Sequence, residues 1–172
     1  MKRSFSIQFG IGAGIINCIA WYALSKSIDY YEVALIERYC LLIKVCSLII
    51  GIFLCVFFQR KSNKGVLEFK AAFKTGVVYT LLVALFLTVF NYIYYKFIAP
   101  DAIDFYVSEA KKQILIEKKL NPDELLKFEE AVRSLFTSFK MFMTTLLMGI
   151  IISLVAAGIL QKKPTVIPFS EN

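Results

Sequence analysis

Apolar residues crowd four stretches of the chain, residues 5–24, 40–58, 75–98 and 141–160, and polar residues gather between them. Each stretch holds roughly twenty residues, enough to cross the ~30 Å hydrocarbon core of a bilayer as a helix. The pattern predicts an all-α membrane protein with four transmembrane helices, residues 1–172 forming a single membrane domain. The longest polar run, Pro100 to Lys140, separates the third span from the fourth.

That run has its own periodicity. Ile103, Val107, Ala110 and Ile114 recur at helical spacing amid charge. Asn121-Pro122-Asp123-Glu124 then reads as a helix start, with an N-cap, a proline at the first helical position and acids in the first turn. Leu125, Phe128, Val132, Leu135 and Phe139 continue an apolar stripe at steps of three and four. With no breaker before the fourth span, one helix is expected from Pro122 to Leu160, roughly 58 Å long at 1.5 Å per residue. About half of it would project beyond the membrane, paired with the first helix of the run as an extracytoplasmic hairpin. The stripe at Leu125, Phe128, Val132 and Leu135 either covers the facing helix or docks a membrane-protein partner or a second copy of the chain.

Composition reinforces the membrane assignment. The 172 residues are 58% hydrophobic and 19% charged, with sixteen Phe and nine Tyr. A soluble domain of this size could not bury so much apolar surface. Small residues recur where spans would meet: Gly10 and Gly14 form a G-x-x-x-G, and Gly149, Ser153 and Ala157 form a ladder in the fourth span. Such positions let helix backbones approach closely. Gly10-x-Gly12-x-Gly14 has neither the spacing nor the preceding strand of a nucleotide-binding loop. The charged start before the first apolar run lacks a small-x-small cleavage site, so an uncleaved first span is expected.

The connection from Gln59 to Lys74 is basic, with Arg60, Lys61, Lys64, Lys70 and Lys74 against Glu68 alone. Val66, Phe69 and Phe73 share one helical face there and Lys70 and Lys74 another, a layout that lays lysines against lipid headgroups. The net charge of +7 is therefore distributed as a topology signal, and no nucleic-acid partner is expected. The N-terminus, this connection and the C-terminal tail carry nine Lys/Arg and two acids in short flanks, while the opposite side carries nine and eleven. Basic residues in short flanks set orientation, which places both termini in the cytoplasm. Trp21 and eight of the nine tyrosines, all but Tyr79, fall near the opposite boundary, where amphipathic rings favour the interface.

Candidate chemistry is sparse. The chain has no histidine, and Cys18, Cys40, Cys46 and Cys55 match no metal or redox spacing. No carboxylate lies inside a span, and Lys44, one turn within the second, can reach the interface by its stem. No catalytic, metal or cofactor residues are predicted, and an enzyme is not expected.

Phe69-Lys70-Ala71-Ala72-Phe73-Lys74-x-Gly76 leads into the third span, which closes near Pro100-Asp101. The charged helical segment follows, and a glycine-containing last span ends in Lys162-Lys163-Pro164. Over residues 5–163 this layout resembles a family of small four-helix membrane proteins from Bacteroidota, catalogued as domain of unknown function 4199. The resemblance implies a bacterial inner-membrane location and brings no established activity. Two function classes follow. The first is a non-enzymatic accessory or scaffold protein acting through helix packing and its outer hairpin. The alternative is a small oligomeric transporter or channel, whose thin set of polar candidates is Asn17, Lys44, Asn91 and Thr144-Thr145.

Overall fold

The computed structural model describes residues 5–27, 33–117 and 121–162. Six helices follow one another: α1 (Phe5–Ser27), α2 (Val33–Ser62), α3 (Phe69–Ile93), α4 (Ala102–Glu117), α5 (Pro122–Leu135) and α6 (Ser138–Leu160). A π-helical turn, Tyr94–Ile98, extends α3. Helices α1, α2, α3 with its π-turn, and α6 are long and apolar enough to cross a membrane, the build of a multi-pass membrane protein. Apolar side chains that stay exposed, such as Ile16, Ile50, Val89, Ile151 and Ile159, cover the outside of the bundle, as a lipid solvent allows.

Helix α3 packs against each of the other three spans. Ala72, Gly76, Thr80 and Ala84 recur every four residues along it, and all four are buried. They face the ladder of α6: a Cβ added at Gly76 would lie 2.5 Å from Ser153 Oγ, and one at Gly149 would run into Thr80. The pairs 76–153 and 80–149 run in opposite order, so the two helices are antiparallel. Ser153 Oγ donates to Gly149 O at 2.6 Å and Thr80 Oγ1 to Gly76 O at 3.0 Å, so each hydroxyl is satisfied within its own helix. In lipid, where the apolar effect does not distinguish helix from tail, such close backbone approach is a principal source of association. Ala157 continues the α6 face, fully buried.

The first span joins through the other small-residue pair. A Cβ at Gly10 would meet Leu82 Cδ1 at 3.0 Å, and one at Gly14 would meet the Phe86 side chain at 2.8 Å. Asn17 Nδ2 donates to Ala13 O at 2.8 Å and to Ser47 Oγ at 2.7 Å, tying α1 to α2. Tyr79, the one tyrosine expected away from the outer boundary, is 1% exposed, and its hydroxyl donates to Ser47 O at 2.9 Å. It fits there because Gly51 of α2 leaves the space.

Two expected boundaries change. Helix α2 begins at Val33, so half of the polar Ser25–Tyr39 connection is helical, and α1 runs on to Ser27. The single helix expected over Pro122–Leu160 is two. Phe136 ends α5 at φ −86°, ψ 3°, and Thr137 adopts an extended backbone at φ −67°, ψ 129° before α6 starts. Hydroxyls supply the reason. Thr137 Oγ1 donates to Ser134 O at 2.6 Å and Ser134 Oγ to Ala131 O at 2.7 Å, an alternative to the helical ladder that such side chains offer without any Gly or Pro.

At the far end of the bundle, Lys64 and Gly65 take positive φ (56° and 84°) to turn the chain from α2. Leu67 and Lys162 then exchange backbone hydrogen bonds of 3.0 and 2.8 Å, which fastens the α2–α3 connection to the end of α6.

Candidate functional site

Helices α4 and α5 form an antiparallel hairpin outside the four spans. Lys111 pairs with Glu129, and Arg133 reaches Asp104 at 2.7 Å and Glu129 at 3.1 Å. Asn121 starts α5 as the sequence predicts, its N–H bonded to the Glu124 carboxylate at 3.0 Å with Pro122 first in the helix. Hydrogen bonds from Lys111 and Arg133 hold the Glu129 carboxyl below its ordinary range, and Asp104 with Glu129 pushes Arg133 up. Leu125, Phe128 and Val132 are half-buried in this pair, while Leu126 and Leu115 remain exposed at 61% and 50%. The Leu135 side chain lies outside the described residues.

The hairpin is joined to the bundle by rings. Trp21 and Phe90 both pack on Tyr94, Tyr94 packs on Tyr95 at 5.2 Å, and Phe136 sits between Tyr95 at 5.6 Å and Tyr106 at 4.8 Å. Edge and tilted pairs of this kind add to burial through the ring quadrupoles. Both backbone irregularities, the π-turn and the α5–α6 break, occur at this level. They leave an open cleft of about 380 Å³ walled by Tyr92, Tyr95 and Phe136, with Lys96, Thr137 and Ser138 at its rim. Asn91 forms its floor, 4% exposed, and accepts a 3.2 Å hydrogen bond from Ser138 Oγ. Lys96 Nζ donates to the Tyr92 hydroxyl at 2.7 Å.

This cleft escaped the sequence reading, which noted Asn91 as a polar residue inside a span and the tyrosines as an interface belt. The missing signal was the helix break that carries Thr137 and Ser138 to Asn91. Other candidates lie apart from it. Gly10, Gly14, Gly149, Ser153 and Ala157 sit in the helix seams described above. Lys61, Lys64, Lys70 and Lys74 are exposed at the opposite end of the bundle, and Arg60 is half-buried with Nε on Gly65 O at 3.2 Å. Phe69 and Phe73 stack at that end. Lys44 is 8% exposed, packed within the bundle. Among the described residues no three His, Cys, Asp or Glu side chains gather as a metal site.

The family described as "Protein of unknown function (DUF4199)" matches residues 8–162. The chain belongs to this family. The matched range takes in the last three DUF4199 spans, the first from residue 8 onward, and the hairpin between the third and fourth. No curated protein and no solved structure matches the chain.

Proposed function

We propose that this protein is a non-enzymatic accessory or scaffold protein of the bacterial inner membrane, with both termini cytoplasmic, that engages a partner through its extracytoplasmic hairpin. The observation that carries the reading is the hairpin itself. Ion pairs hold its helices together and a column of rings fixes its foot to the bundle, yet Leu115 and Leu126 stay uncovered. A rigid projection with uncovered apolar residues is a surface for another protein or a second copy. No described feature favours a small oligomeric transporter or channel over this. Asn17 and Asn91 spend hydrogen bonds on neighbouring helices, and Thr145 bonds its own helix at 2.7 Å.

Photo-crosslinking side chains placed at Leu115 and Leu126 in living cells test the reading, with Ile151 on the lipid face as control. The expected result is a discrete adduct at the hairpin positions and none at Ile151. An adduct with another protein identifies the partner, and one at twice the chain mass identifies self-association. Lipid adducts alone at all three positions would remove the scaffold reading.

A further inference from the structure

Three sets of hydrogen-bond donors converge on the cleft at the foot of the hairpin. The first is the start of α6. Its helical ladder opens with Met141 N on Thr137 O at 3.2 Å, and the N–H groups of Ser138, Phe139 and Lys140 have no partner among the described residues; of these three residues Ser138 lines the cleft. Thr137 does not cap them, because its hydroxyl is turned back to Ser134 O. A helix start of this kind presents free donors and the positive end of a 23-residue dipole.

The second is Asn91. Its Oδ1 is taken by Ser138, and its Nδ2 has no partner among the described residues although the residue is only 4% exposed. No fully enclosed side-chain nitrogen or oxygen is left without a partner among those residues. The amide therefore retains access to the cleft whose floor it forms. A buried amide with free donors at the base of a cleft can bind an acceptor that enters it.

The third is the Lys96 ammonium at the rim, steadied over the Tyr92 and Phe97 rings at 5.1 and 5.5 Å. All three sets donate, and no carboxylate lines the cleft. We propose that the cleft binds a phosphate oxyanion, either on a phospholipid headgroup or free in solution. The tetrahedral group would be held by the Ser138 N–H at the start of α6, Asn91 Nδ2 and Lys96. The site lies where the spans end, so a headgroup could enter while its chains lie against exposed Phe97 and Phe139. Such a site would act the same with or without a partner on the hairpin, and on either side of the membrane.

The full chain in neutral detergent would be titrated with short-chain phosphatidylglycerol, with diacylglycerol of the same chains, and with inorganic phosphate. Native mass spectrometry reads the bound mass, and fluorescence of the single Trp21, packed 6.3 Å from Tyr94, follows saturation. Saturable binding of phosphatidylglycerol alone assigns a lipid headgroup, and binding of inorganic phosphate as well assigns a free-anion site. In either case Lys96→Gln should weaken binding about tenfold, the effect of one charge-assisted hydrogen bond. Asn91→Asp, which keeps the acceptor for Ser138 and replaces donors by a negative charge, should abolish it. Lys70→Gln, at the opposite end of the bundle, should leave it unchanged. The exposed Lys96 variant keeps the test independent of any folding defect at Asn91. Equal binding of diacylglycerol, indifference to Lys96→Gln, or no bound mass would each overturn the proposal.

Discussion

Packing in the middle of the bundle turns on single atoms. Tyr79 lies fully inside because Gly51 has no side chain, and its hydroxyl closes on Ser47 O. A methyl group at Gly51 would collide with the ring and the hydroxyl together, so Gly51→Ala should cost about 1–3 kcal/mol, the usual range for overpacking. Gly12 and Gly158 have nothing within 4 Å of an added Cβ, and alanine there should cost no stability. Thermal unfolding of the three variants in one detergent checks this; equal midpoints would mean that Gly51 does not make Tyr79's pocket. The α6 ladder of Gly149, Ser153 and Ala157 was legible because a period of four is visible within one helix. Its counterpart on α3 was not, since Thr80 is small only relative to the glycine it faces. Tyr79 stood out as the one tyrosine away from the outer boundary, but nothing local to it reveals a glycine 28 positions away on another helix.

Elements were legible wherever composition alone decides them. A span is an apolar run of sufficient length, and the start of α5 is a set of capping residues in order. The end of α5 was not legible, because hydroxyls that break a helix in one context ride along its surface in another. The break matters to the hairpin, for it lets Phe136 lodge between Tyr95 and Tyr106 while Arg133 still reaches Asp104. Acid should loosen this element. Glu129 has a folded pKa below its ordinary 4.5, so its contribution is complete above that pH and is lost as pH falls through the lower folded value. Because the pairs are partly exposed to solvent, the effect is modest and screened by salt. Spin labels at Gln113 and Lys127, both exposed, should show a narrow distance distribution at neutral pH that widens below pH 4.5. Glu129→Gln should widen it at neutral pH. A distribution unchanged by both acid and the substitution would mean that the ion pairs do not hold the hairpin.

At the scale of the molecule, the two ends of the bundle differ in kind. One end carries the hairpin and the aromatic column, with acids and bases interleaved. The other carries Lys61, Lys64, Lys70, Lys74 and Lys162, all exposed. The exchange of hydrogen bonds between Leu67 and Lys162 puts the α2–α3 connection and the end of α6 on one side, whichever side that is. Four spans and a hairpin between the third and fourth then place the hairpin opposite both. Only the orientation is left open, and the proposed function takes the basic end as cytoplasmic, the side on which short lysine- and arginine-rich connections tend to remain. In a variant with its four cysteines replaced, a cysteine at exposed Ser108 in α4 should react with an impermeant maleimide in intact cells. One at exposed Ser62, at the end of α2, should react only after the membrane is opened. Labelling of Ser62 from outside with protection of Ser108 would invert the molecule. The scaffold reading would then need a cytoplasmic partner, and the cleft would face the inner leaflet.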